Sequence, residues 1–129
     1  MAKILIIEDE SRIQFQAIEK IQSTLHEIEL AISIEGAINY LYNNQNKLDL
    51  IILDVMMNPA PFDAILTNKG DETGWVFYDL ELRHLNCPVI VWTQNRDIFL
   101  KNWDPVFVKY KILKGKDDDL LEAIKSICG

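Results

Sequence analysis

The chain has 129 residues, 49% hydrophobic and 26% charged, enough for one domain with a substantial core. Its 13 basic and 20 acidic residues give a net charge of −7, which argues against a nucleic-acid partner and against docking on anionic membranes. Two cysteines, Cys87 and Cys128, lack any CxxC or metal-ligand spacing. With no signal peptide, two reduced thiols in a cytoplasmic protein are the expectation, and Met-Ala-Lys leads straight into strand-like sequence.

Lys3 to Ile7 is an apolar β-rich run ending on Glu8-Asp9-Glu10. Ser11 with Gln14 three residues on fits a capping box. The helix it predicts carries an apolar stripe of Ile13, Ala17, Ile21, Leu25 and Ile28. Glu29 to Ser33 reads as a short second strand. Ala37, Ile38, Leu41 and Tyr42 line a helical face, and the Asn/Gln/Lys cluster at 43–47 reads as a turn.

Leu48-Asp49-Leu50-Ile51-Ile52-Leu53-Asp54 follows. Too short for a membrane span, it predicts a strand buried on both faces of a parallel sheet, with Leu50 to Leu53 in the core and Asp54 emerging at its end. Asn58 to Thr73 is irregular, broken by Pro59, Pro61 and Gly70, and Gly74 opens a third helix bearing Val76, Phe77, Leu80 and, near its end, His84. Val89 to Thr93 is a fourth strand, a short helix spans Arg96 to Asn102, and Asp104-Pro105 stops it. Phe107 to Leu113 is a more polar fifth strand, expected at an edge; a last helix runs from about Asp118 to Ile127. Five strands alternating with five helices predict a doubly wound α/β fold.

In a parallel sheet the ends of strands one, three, four and five share one edge, where α/β folds bind ligands. Glu8, Asp9, Asp54, Thr93 and Lys114 stand at those ends. Converging carboxylates repel unless a cation sits between them, and oxygen ligands without His or Cys favour Mg²⁺. A divalent ion, a hydroxyl and an ammonium around one acid would stabilise a phosphoryl group on it. Each residue also has a plainer reading. Asp54 caps a loop, Glu8 and Asp9 form a solvated turn, Thr93 is a β-branched strand residue, and Lys114 is one of several lysines with Lys109, Lys111 and Lys116. Trp75, Trp92 and Trp103 read as packing; His26 and His84 read as surface residues.

Four segments in order, Lys3 to Glu10, Leu48 to Asp54, Pro88 to Thr93 and Ile112 to Gly115, resemble the receiver domain of two-component response regulators over essentially the whole chain. The resemblance implies a single domain over residues 1–129 with a flavodoxin-like, five-stranded parallel sheet of order 2-1-3-4-5 and helices on both faces. It implies that Asp54 accepts a phosphoryl group from a histidine kinase or phosphotransfer protein. Glu8, Asp9, Asp54 and the backbone carbonyl of Met56 would hold Mg²⁺, while Thr93 and Lys114 would contact the phosphate. Such a domain is a signalling module rather than an enzyme, although self-catalysed phosphotransfer and dephosphorylation belong to its chemistry. Its output passes through a downstream protein partner or a homodimer.

Three departures qualify the resemblance. The 58–73 segment exceeds the usual loop by about a dozen residues; it reads as a lid, as a source of Asp71 or Glu72 for the cation, or as a mobile surface insertion. Lys111 replaces the usual switch aromatic, with Tyr110 one position off. Gln94 follows Thr93 where a small residue is common. The alternative is therefore a pseudo-receiver acting as a phosphorylation-independent interaction module. A flavodoxin-like enzyme or nucleotide binder is disfavoured, because Glu8-Asp9-Glu10 stands where a Gly-rich phosphate loop would lie.

Overall fold

A computed structural model describes residues 1–44 and 47–129, so the centre of the expected 43–47 turn lies outside the described residues. Strands β1 (Lys3–Ile7), β2 (Glu27–Ala31), β3 (Leu50–Leu53), β4 (Val89–Thr93) and β5 (Tyr110–Leu113) form one parallel sheet in the order β2-β1-β3-β4-β5. Helices α1 (Phe15–Gln22), α2 (Ile34–Asn44), α3 (Thr73–Leu80) and α4 (Asp117–Cys128) cover it. The flavodoxin-like order expected from the sequence is the order found.

Alternation along the strands sorts the core into two layers. Leu5, Ile7, Ile51, Leu53, Val89 and Val91 pack with Ala37 and Leu41 of α2 and Phe77 and Tyr78 of α3. Ile4, Ile6, Leu50, Ile52, Ile90 and Trp92 pack with Ile18 and Ile21 of α1 and Leu120 and Ile124 of α4. The central strand is therefore apolar at every position because both its faces are covered.

Several local expectations are corrected. Residues 11–14 form turns, and α1 starts at Phe15 without a side-chain cap. Glu8 Oε1 accepts from the Glu10 N–H at 2.9 Å, a local bond that competes with helix initiation. Ile13 is consequently exposed, and Leu25 lies beyond a helix that ends where Ser23 and Thr24 hydroxyls donate back to the Glu19 and Ile21 carbonyls. Strand β2 starts two residues early, taking in Ile28, and Ser33 instead accepts from Gly36 N at 3.0 Å at the start of α2. In α2 the buried stripe is Ile34, Ala37 and Leu41, while Ile38 and Tyr42 face out. Leu80 is likewise exposed, and His84 lies in a separate 3₁₀ turn, Leu82–Leu85.

The connection from β4 to β5 holds only the 3₁₀ turn Arg96–Leu100, so among the described residues there are four α-helices rather than five. Asp104 shortens the fifth strand: its carbonyl accepts from Phe107 and Val108, and its carboxylate from Val106, so pairing begins at Tyr110.

Candidate functional site

The register places the site. Ile7 pairs with Leu53, Leu53 with Val91, and Thr93 with Leu113, so Glu8, Asp54 and Lys114 all step off the same sheet edge and Thr93 ends the strand between them. Backbone bonds extend the sheet by one residue into the site. Glu8 N–H donates to the Ala31 carbonyl, Asp54 N–H to Ile7 and Lys114 N–H to Thr93, at 2.9, 3.0 and 2.9 Å. Side chains set on such a frame hold position better than side chains on loops.

Carboxylate oxygens of Glu8, Asp9 and Asp54 lie within 4.8 Å of one another. Glu8 and Asp54 are buried, at 0% and 1% exposure. Lys114 reaches them from β5, its ammonium 2.5 Å from Glu8 Oε2 and 3.2 Å from Asp54 Oδ2, with its side chain only 6% exposed. One ammonium thus pairs with two of the three clustered acids, Glu8 and Asp54, and cannot balance all three when they are ionised. Burial, with the neighbouring Glu8 charge, pushes the Asp54 carboxyl up to about 8 against the partial opposition of Lys114.

Among the described residues Asp54 Oδ1 and Asp9 Oδ1 are buried without a hydrogen-bond partner, and Glu8 Oε2 and Asp54 Oδ2 meet the ammonium at ion-pair distance without hydrogen-bond alignment. Orphaned buried oxygens carry a cost unless something positive meets them. An all-oxygen donor set whose three acids outnumber the single ammonium fits a hard divalent cation. The residues present therefore fit the Mg²⁺ site that the sequence leads one to expect.

Not every expected residue converges. Thr93 is fully buried, but its hydroxyl accepts from Asn95 N–H at 3.2 Å. Met56 is partly exposed, and its carbonyl enters none of the hydrogen bonds of the described residues. Gln94 is exposed, and the three tryptophans pack, Trp92 and Trp103 fully and Trp75 partly buried.

The long connection is ordered by its own contacts. Thr67 is buried, donating to the Asp63 and Ala64 carbonyls and accepting from Gly70 N–H. Thr73 donates to Met57 O at 2.8 Å, and Phe62 packs on Phe77. The Asn58 N–H donates to Asp9 Oδ2 at 2.9 Å, tying the start of the segment to the acid cluster. Glu72 does not turn to the cluster, contrary to one of the expectations for this segment: it pairs with Lys101 at 2.9 Å. Gly74 is required at the end of this path, since a β-carbon there would overlap the Asp54 carbonyl oxygen.

Sequence reading misses the Asn58 amide, Gly74 and Trp92 as parts of the site. The first acts through its backbone, which no residue type announces; the glycine reads only as a helix start. Trp92, one residue before Thr93, is visible but reads as packing alone.

No family model and no curated protein matches the sequence. Solved structures do. A response regulator receiver domain protein from Clostridium thermocellum superposes with a TM-score of 0.70 at 23% identity, covering 98% of this chain and 94% of that one. A response regulator from Thermotoga maritima, solved in complex with Mg²⁺ and BeF, gives 0.67 at 20% identity over 98% and 99% of the two chains. A Thermotoga maritima complex of a histidine kinase with that response regulator gives 0.66 at 20% identity, covering 100% of each chain. The fold is that of response regulator receiver domains. Among the described residues no helix is long and apolar enough to cross a membrane.

Proposed function

We propose that this chain is a response regulator receiver domain in which Asp54 takes up a phosphoryl group from a phosphohistidine, carried by a histidine kinase or a phosphotransfer protein. The observation that carries the reading is the gathering of Glu8, Asp9 and Asp54 within 4.8 Å of one another, with the buried Lys114 paired to Glu8 and Asp54. Mg²⁺ would be held by Glu8, Asp9, Asp54 and the Met56 carbonyl, where it would neutralise the acids and polarise phosphoryl oxygens.

The residues divide the remaining work. Asp54 Oδ1, which has no hydrogen-bond partner among the described residues, is the attacking atom: an O–P bond forms as the P–N bond to the donor imidazole breaks, and the nitrogen leaves. Below about pH 8 the metal-free carboxyl holds a proton, so the acid must lose it to attack. Lys114 then turns from the carboxylates to the incoming oxygens, and the Thr93 hydroxyl exchanges its Asn95 contact for the phosphoryl group. The 58–73 segment serves as a lid over the acyl phosphate, anchored through Asn58; its excision should shorten the lifetime of the phosphorylated form. Output passes to a downstream protein partner in the cytoplasm, or through a homodimer.

Incubation with acetyl phosphate and Mg²⁺, followed by intact mass, tests the reading. Wild type should gain one phosphoryl mass and Asp54→Asn none. A wild-type protein that binds neither Mg²⁺ nor beryllofluoride would support the second reading, a phosphorylation-independent interaction module. That reading draws on Lys111, which donates to the Phe99 carbonyl at 3.3 Å where the family's switch aromatic would stand.

A further inference from the structure

Trp92 is fully buried at the end of β4, yet its indole Nε1 makes no hydrogen bond among the described residues. An unmet indole N–H is a cost that Phe or Leu in the same apolar layer would not carry. What the indole supplies instead is the strongest π face of the aromatic side chains. The Lys114 ammonium lies 5.2 Å from the centroid of that ring. Register brings them together: Trp92 pairs with Ile112 and Thr93 with Leu113, so Lys114 leaves β5 beside the tryptophan before reaching Glu8 and Asp54.

We propose that Trp92 is a positioning residue for Lys114, its ring face seating the ammonium so that this charge stays in the site when a divalent cation claims Glu8 and Asp54. The functional half of this proposal rests on the phosphoacceptor reading. In the metal-free protein the ammonium is the positive group that meets Glu8 and Asp54. A divalent cation drawing on the same oxygens repels it and takes its partners, and a buried ammonium without partners is strongly disfavoured. A π face resolves the conflict, because it attracts a cation without competing for the metal. Lys114 thereby remains within reach of the phosphoryl oxygens.

The test is a double-mutant cycle with Trp92→Leu, Trp92→Phe and Lys114→Met, read two ways. In metal-free urea unfolding, Trp92→Leu should reduce the folding constant roughly tenfold more with Lys114 present than in the Lys114→Met background, the scale of a desolvated cation–π contact. Trp92→Phe should show a smaller coupling of the same sign, and it carries the measurement if the leucine variant does not fold. In calorimetric titration with Mg²⁺ alone, Trp92→Leu should weaken binding several-fold when Lys114 is present and leave it unchanged in the Lys114→Met background. Equal effects in both backgrounds would reduce Trp92 to packing and overturn the proposal. If wild type takes up no Mg²⁺, the phosphoacceptor reading falls together with the metal-dependent half of this one, while the urea cycle still decides whether the ring seats the ammonium.

Discussion

The tips of β1, β3 and β5 and the connection from β4 to β5 border the same end of the sheet, but their polar groups are spent differently. At the tips, Glu8 and Asp54 share one ammonium beside Asp9, and buried carboxylate oxygens have no hydrogen-bond partner among the described residues. Along the connection nearly the reverse holds. Asn95 caps Asp97, Trp103 Nε1 donates to Ile98 O at 2.8 Å, Asp104 N–H donates to Tyr78 OH, and Arg83 reaches the Asn102 carbonyl at 2.7 Å. Trp75, Tyr78 and Trp103 close the gap against α3 with ring centroids 4.8 to 6.0 Å apart. One region leaves buried acids in excess over their one ammonium; the other meets most of its polar groups internally. The acid cluster and the connection are therefore held by different interactions, and each can be disturbed alone.

The sharpest break is at Asp54. Asp54→Asn keeps shape, removes the acid whose ionised form burial and Glu8 disfavour, and should abolish phosphoryl uptake in the mass assay while leaving the metal-free protein at least as stable as wild type. A loss of stability would mean that the acid cluster is structural rather than frustrated.

Lys114→Met acts in the opposite direction. It strips the positive charge from buried carboxylates, and breaking such a pair costs about 3–5 kcal/mol in metal-free unfolding. Saturating Mg²⁺ should restore much of that loss by mass action. An unchanged urea midpoint would show that the acids are better solvated than their burial implies.

Titration reads the same frustration more gently. The Asp54 carboxyl moves from 3.8, its ordinary value, to about 8 in the folded protein. Between those values the folded state keeps a proton that the unfolded state has lost, so this group's contribution to stability is full below about pH 4 and is lost as pH rises through about 8. Metal-free stability should fall over that window in wild type and level off in Asp54→Asn. Mg²⁺ affinity should rise with pH over the same range, because metal and proton compete for one carboxylate.

How far the sequence carries each region follows from what makes it. Strands β1, β3 and β4 are apolar nearly throughout because both faces are covered, and a run such as Leu50 to Leu53 is hard to read otherwise. Once those strands are placed, parallel register brings Glu8, Asp54 and Thr93 to one edge, and Lys114 joins them only when the more polar β5 is placed as well. Helix stripes are less legible: Ile13 and Leu25 fit the period of α1, yet turns at both ends exclude them. The β4–β5 connection is the least legible. Its shape depends on side chains answering distant backbone, as Tyr78 answers Asp104 and Arg83 answers Asn102, and such pairs leave no local pattern. The 58–73 segment reads equally well as a mobile insertion because its anchors are hydroxyls and amides rather than an apolar period.

The smallest expected effect is also the one that asks whether the two regions communicate. Lys111 is exposed on β5 and donates to Phe99 O at 3.3 Å, while its neighbour Tyr110 holds Ser126 of α4 through its hydroxyl at 2.7 Å. Lys111→Ala removes this tie from β5 to the 3₁₀ turn Arg96–Leu100 and should cost less than ~1 kcal/mol, as a solvent-exposed hydrogen bond does. Amide exchange should quicken at Ile98 and Lys101, whose N–H groups close that turn on Asn95 and Ile98 carbonyls, and stay unchanged at Asp54, bonded to Ile7. If Mg²⁺ affinity holds constant as well, the turn is loosened without any report at the acid cluster. A shifted Mg²⁺ affinity would show the lysine coupled to the site through Thr93, whose hydroxyl accepts from Asn95 at the start of the same turn. In that event Lys111, by holding a carbonyl, takes over in this chain the part that the resemblance assigns to the switch aromatic.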